Sequence, residues 1–110
     1  MYRIGEFAEM TGLTKETLRY YAQIELLTPV FVEPRNKYSY YDNNSFLVAR
    51  LLVYLRRFDF SIQEMLMVVH DRSLDELEEI LKEKKVALRQ QIVDTEAIIS
   101  EIDGFLEMEE

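Results

Sequence analysis

A chain of 110 residues has room for one small domain and an appendage. Its 48% hydrophobic and 31% charged residues describe a folded class, and only three Gly and two Pro point to a mostly α chain. The lack of Cys excludes disulfides, thiolate metal sites and thiol redox sensing, while a net charge of −8 argues at first sight against a polyanionic partner.

Ile4, Phe7 and Ala8 fall at i, i+3 and i+4, one face of a short helix. Gly12 supplies the left-handed backbone of a tight turn. Thr14 is a suitable N-cap for a second helix, and Glu16 suits the positive end of its dipole. In that helix Leu18, Tyr21 and Ala22 share a face that can pack inward, while Lys15 and Arg19 are neighbours on another. Such a run is an ordinary two-helix corner or a helix-turn-helix that places its second helix in a DNA groove.

After Pro29 the pattern changes. Val30-Phe31-Val32 and Tyr38-Ser39-Tyr40-Tyr41 are β-prone runs around a turn-rich Glu33-Pro34-Arg35-Asn36-Lys37, which predicts a hairpin with Arg35 and Lys37 at its tip. Following a helix-turn-helix, such a hairpin is a wing. A lone hairpin is marginally stable, so some of Tyr38, Tyr40 and Tyr41 must pack on the helices.

Asp42-Asn43-Asn44 is rich in capping residues. A third helix is predicted behind it, with Phe46, Leu47, Leu51 and Leu55 at apolar spacing and Arg50, Arg56 and Arg57 beside them. Asp59-Phe60-Ser61 interrupts it, and Ser61 with Glu64 forms a capping box for a fourth helix reaching about His70. His70, the single histidine, is read as a helix-terminal side chain interacting with carbonyls rather than as a ligand.

From Ser73 onward the chain is built of helix formers. A heptad phase runs Leu81, Lys85, Leu88, Ile92, Thr95, Ile99, Ile102, Leu106, apolar except at Lys85 and Thr95. A single helix cannot bury that stripe on itself, so a partner helix is predicted, with a fold back onto its own domain as the alternative. The predicted organisation is residues 1–72 as a winged helix-turn-helix with a short β-hairpin wing, then residues 73–110 as a long C-terminal dimerisation helix.

The charge follows this division. Residues 1–60 hold eight Lys/Arg against seven Asp/Glu, and residues 61–110 hold five against fourteen, which together make the thirteen and twenty-one of the whole chain. The acidity therefore sits away from the helix-turn-helix, and phosphate attraction is governed by charge within roughly 8 Å.

The order of elements resembles the MerR family of bacterial transcription regulators. The residues that carry the likeness are Ile4-Gly5-Glu6-Phe7-Ala8, Leu13 to Tyr21, Leu26-Leu27-Thr28-Pro29, Tyr38-Ser39-Tyr40-Tyr41 and Leu55 to Met65. The resemblance implies a DNA-binding regulator, not an enzyme. It would be a homodimer through an antiparallel coiled coil, binding a pseudo-palindromic operator in double-stranded promoter DNA and distorting it for RNA polymerase. It further implies a cytoplasmic, nucleoid-associated protein without membrane partner; metal and redox sensors of the family need cysteines beyond the coil, and this chain has none, so no metal or cofactor is expected.

Position by position, the resemblance implies that Arg19 holds a phosphate, that Tyr20 or Tyr21 contacts backbone or bases, and that Thr14, Lys15 and Thr17 open the recognition helix. Arg35, Lys37 and Tyr38 belong to the wing, and Arg56 and Arg57 form a second backbone contact. Leu81, Leu88, Ile92, Ile99, Ile102 and Leu106 would form the dimer seam. Three positions depart from the family pattern. Lys37 stands where a wing Gly is usual, Ser39 where an Arg is usual, and Asp59 where a loop Gly is usual. A lysine at positive φ is strained, so Asn36 is expected to take the left-handed conformation. Family sensors lie beyond the coil, so an effector is expected to act through segments absent here. The alternative function is a winged-helix protein-interaction module, an anti-regulator or adaptor, that no longer binds DNA.

Overall fold

A computed structural model describes residues 1–109. The chain divides into two units, Met1–Asp71 and the residues from Arg72 onward.

The first unit begins with a strand β1 (Tyr2–Arg3) and runs directly into helix α1 (Ile4–Thr11). Gly12 ends α1 at φ 79°, its N–H donating to the Ala8 carbonyl at 3.0 Å. The buried Thr11 hydroxyl donates to the Phe7 carbonyl at 2.8 Å and accepts from the Leu13 N–H at 3.2 Å, which shapes the turn. Thr14 then caps helix α2 (Lys15–Gln23), accepting from the Thr17 N–H at 3.0 Å. At the far end of α2 the Leu26 N–H reaches the Tyr21 carbonyl and the Glu25 N–H the Ala22 carbonyl, a Schellman closure with Glu25 at φ 60°.

The predicted hairpin forms from β2 (Phe31–Val32) and β3 (Ser39–Tyr41), paired Phe31 to Tyr40 and Val32 to Ser39. It is not alone. β1 pairs with the other edge of β3, Tyr2 to Tyr41 and Arg3 to Tyr40, giving an antiparallel sheet in the order β1-β3-β2. The Tyr2 hydroxyl donates to Asn43 Oδ1 at 2.8 Å, fastening the chain start to the third helix. At the wing tip the left-handed residue is Lys37, at φ 63°, and not Asn36. The Lys37 N–H donates to the Glu33 carbonyl at 2.8 Å and Asn36 Oδ1 accepts from the Tyr38 N–H at 2.9 Å, so the register of the loop places the strain on Lys37.

Helix α3 (Asn43–Arg57) is capped by Asp42, which accepts from the Ser45 N–H at 2.8 Å. Its buried face is Ser45, Ala49, Leu52 and Leu55 rather than the one through Leu47, which is 65% exposed. The small Ser45 and Ala49 let α3 approach its neighbours closely. Asp59 at φ 68° closes α3, with the Phe60 N–H bonded to the Leu55 carbonyl and the Asp59 N–H to the Arg56 carbonyl. The Ser61–Glu64 capping box then starts helix α4 (Ile62–His70). The His70 Nε2 meets a carbonyl as expected, but it is that of Glu25 at the end of α2, at 2.6 Å.

Phe7, Leu18, Tyr41, Leu52, Leu55 and Met65 form the fully buried centre. Phe7 and Tyr41 stack with centroids 4.3 Å apart and planes 7° from parallel, which adds about 0.5–1.5 kcal/mol to their burial. This stack and the β1 pairing hold the wing against the helix-turn-helix.

The second unit opens with a short 3₁₀ turn (Leu74–Glu76) and continues as helix α5 (Leu77–Met108), 32 residues or about 48 Å long. Arg72 fastens its start, binding Glu76 at 3.1 Å and Glu83 at 2.7 Å. Ile92, Ile99, Ile102 and Leu106 are each more than half exposed. Glu110, the last residue of the expected helix, and the side chain of Leu74 lie outside the described residues.

Candidate nucleic-acid interface

The first turn of α2 presents its polar groups at the surface. The Thr14 hydroxyl donates to Thr17 Oγ1 at 2.9 Å while accepting the Thr17 N–H, so the two hydroxyls fix each other. Lys15 lies back over Gly5, where an added methyl would stand 3.5 Å from its Cε and 3.8 Å from its Nζ. Arg19, one turn further, is exposed.

Between α2 and the wing runs a cleft of about 390 Å³. Lys15 and Arg19 line it from α2, Lys37, Tyr38 and Ser39 from the wing, and Arg3 from β1. No Asp or Glu lines it, and among the described residues none of its four cations is held in an ion pair. Arg3 stands with its guanidinium 3.9 Å from the centroid of the Tyr38 ring. Tyr41, at the floor, has its hydroxyl pKa pushed up by burial, with the nearby Arg19 charge opposing the shift.

A second cleft, of about 440 Å³, lies on the other side of α2 and joins Thr17, Tyr20 and Tyr21 to Arg56 of α3. Tyr20 is 47% exposed, but Tyr21 is 3% exposed. The Tyr21 ring is thus packed in the core at the edge of the cleft it helps to line, and burial raises its hydroxyl pKa while the Arg56 charge opposes this. Of that pair Tyr20 has the exposed ring.

The expected site residues thus fall into groups. Lys15, Arg19, Lys37 and Tyr38 come together at the first cleft, and Thr17, Tyr20 and Arg56 at the second. Thr14 sits at the exposed helix start between them. Arg35 is exposed at the wing tip, its N–H bonded to the Glu33 carboxylate at 3.3 Å, and lines neither cleft. Arg57 is also outside both and leans on the Tyr54 ring at 5.9 Å, opposite Arg50 at 5.8 Å. Arg3 is the residue that sequence reasoning missed. A two-residue strand carries no periodicity, and only its pairing with β3 brings Arg3 to the wing.

On α5, the expected seam residues Leu88 and Ile92 line a shallow groove of about 390 Å³ together with Thr95 and Glu96. Leu81 and Leu88 are half-buried, and Ile99, Ile102 and Leu106 continue the stripe in the open. No described helix is long and apolar enough to cross a membrane.

A helix-turn-helix, a hairpin wing and a carboxylate-free cationic cleft between them define a winged helix-turn-helix protein. The family profile described as "MerR HTH family regulatory protein" matches residues 2–71, and the chain belongs to this family. It is similar to the multidrug-efflux transporter 1 regulator of Bacillus subtilis, 28% identical over 91 residues, which is 83% of this chain but 32% of that regulator. The chain thus spans about a third of that relative's length. The structure of EcmrR in its DNA complex within EcmrR-RPo matches with a TM-score of 0.73 and 28% identity, over 96% of this chain and 38% of that one. MtaN, the N-terminus of the Bacillus subtilis multidrug transporter activator, matches in fold with a TM-score of 0.83 at 23% identity, over 96% of this chain and 98% of that one.

Proposed function

We propose that this chain is a dimeric, DNA-binding regulator of transcription. The observation that carries the reading is the convergence of Lys15, Arg19 and Lys37 on one cleft beside an exposed helix start, in a chain whose net charge is −8. A cleft without carboxylates in so acidic a chain suits a polyanion, and the DNA complex of EcmrR supports the same reading.

Residues 1–72 bind the duplex. The start of α2 enters the major groove, with Thr14, Lys15 and Thr17 toward base edges and Tyr20 beside them. Arg19 and Lys37 hold phosphates on one side of α2, Arg56 on the other, and Arg35 and Arg57 extend the basic rim. Residues 73–110 form the dimer through Leu81, Leu88, Ile92, Ile99, Ile102 and Leu106. Two copies related by a twofold axis read two half-sites of a pseudo-palindromic promoter element and distort the DNA between them, on which RNA polymerase then acts. Such a protein works in the cytoplasm, on the nucleoid, and is not an enzyme.

Charge supports an antiparallel pairing. Before Gln90, α5 carries Lys82, Lys84, Lys85 and Arg89 beside Glu78, Glu79 and Glu83; after it come Asp94, Glu96, Glu101, Asp103 and Glu107 with no cation. Antiparallel helices set the half that holds all the cations against the partner's anionic half, whereas parallel ones stack anionic on anionic.

The test is fluorescence anisotropy with duplex DNA against salt. Arg19→Ala should weaken cognate and mixed-sequence duplexes by similar factors and reduce the slope of log K against log salt by about one. A changed sequence preference with an unchanged slope would refute the phosphate role. Failure of the unmodified chain to bind any duplex at low salt would replace DNA binding with the protein-interaction alternative.

A further inference from the structure

We propose that Arg3, on the strand paired with the wing, is a further cation that holds a DNA phosphate beside Lys37, positioned for that contact by the face of Tyr38. This rests on the DNA-binding reading above and adds a residue to it.

β3 carries Ser39, a side chain without charge, where the strand faces the cleft. A cation lines the cleft instead from the neighbouring strand, on the sheet face that alternates with that of Ser39. β1 pairs with β3 so that Arg3 stands opposite Tyr40. The diagonal neighbour of Arg3 on the same face of the sheet is then Tyr38, two residues back. The ring centroid of Tyr38 lies 3.9 Å from the guanidinium carbon, a stacking distance. Tyr38 is 44% exposed, so the pair stands at the surface and not in the core.

Two features make this arrangement a binding element rather than a fastening. First, stacking uses the flat face of a guanidinium and leaves its N–H donors, which lie in the plane, unspent. Those donors match the fork geometry of a phosphate. Two nearby carboxylates are turned to backbone donors, Glu6 Oε1 to the Arg3 N–H at 3.3 Å and Glu33 Oε1 to the Arg35 N–H at 3.3 Å. Second, Arg3 shares its cleft with Lys15, Arg19 and Lys37, and no carboxylate lines that cleft. Four uncompensated cations around one concavity repel each other until an anion enters. Holding the long Arg3 side chain on a ring beforehand removes much of the ordering cost of that contact.

The experiment is a salt series of anisotropy titrations with a mixed-sequence DNA duplex, on the unmodified chain and on Arg3→Gln, Arg3→Lys, Tyr38→Phe, Tyr38→Leu and the double variant Arg3→Gln/Tyr38→Leu. Arg3→Gln should lower the salt slope by about 0.9, the value for one lost phosphate on B-DNA. Arg3→Lys should keep the slope and bind more weakly, because it keeps the charge and loses the stacked plane. Tyr38→Phe, which keeps the ring face, should retain more affinity than Tyr38→Leu. Tyr38→Leu should weaken binding, yet cost nothing further once Arg3 is Gln. Thermal melts of each variant separate loss of fold from loss of contact. An Arg3→Gln variant that melts lower but keeps the full slope would show that Arg3 only fastens β1, and the proposal would fall. Additive losses in the double variant would remove the positioning role of Tyr38 and overturn the proposal as stated. In either case a slope still sensitive to Arg19→Ala leaves the DNA-binding reading standing. Absence of binding by the unmodified chain at low salt would remove both.

Discussion

Among the described residues, three that are not glycine, Glu25, Lys37 and Asp59, hold positive φ. Left-handed backbone crowds Cβ against the following carbonyl and costs about 1–2 kcal/mol for an L residue. Glu25 and Asp59 both close helices by the same Schellman pattern, a position glycine favours. Glu25→Gly should therefore stabilise the fold, by about 1 kcal/mol after the extra freedom of glycine in the unfolded chain is deducted. Urea unfolding checks this, and a lower midpoint would show that the Glu25 side chain has a stabilising role of its own. Asp42 gives a second residue-scale test. Its carboxylate accepts from the Ser45 N–H and hydroxyl, which holds its pKa below the usual carboxylate range. A depressed folded pKa means that the contribution is complete above the unfolded value, about 3.9, and is lost as pH falls through the folded value. Asp42→Asn still caps α3 but cannot titrate. It should flatten the acid limb of stability against pH below about 4 and leave the neutral region little changed. An acid limb of unaltered steepness would assign it to other carboxylates.

At the level of elements, the sequence was legible wherever the cause of structure is local. Thr14, Ser61 with Glu64, and Gly12 specify their caps and turn within a few residues, and each is found as expected. It was illegible where the cause is distant. Tyr2 and Arg3 become a strand only because β3 is there to pair with. The register that puts Lys37 and not Asn36 at positive φ is set by the pairing of β2 with β3. On α3, large apolar side chains suggested the face through Leu47, but close helix packing chose the face with Ser45 and Ala49. Tyr21 and Tyr20 are adjacent and chemically identical, and only the helix rotation set by Leu18 sends one inward. Helix α5 is the element whose pattern demands something beyond the chain. Charged substitutions at Ile92 and Ile99 together should give monomers by sedimentation. A dimer persisting at micromolar concentration would rule out this stripe as the interface.

For the molecule as a whole, the long helix with its open apolar stripe makes amount a variable. A protomer alone leaves Ile92, Ile99, Ile102 and Leu106 in water. If pairing is what covers them, then the free energy that joins two copies is also the free energy that keeps α5 folded. Its melting temperature should rise with protein concentration, and a dilution series of thermal melts would show it. For the proposed DNA-bound dimer the consequence would be a threshold. A protein that must first find its twin occupies its site in proportion to the square of its supply while protomers are scarce. Halving the synthesis of the chain would then empty the promoter by more than half, so that the cell could adjust the regulator's output through its copy number alone.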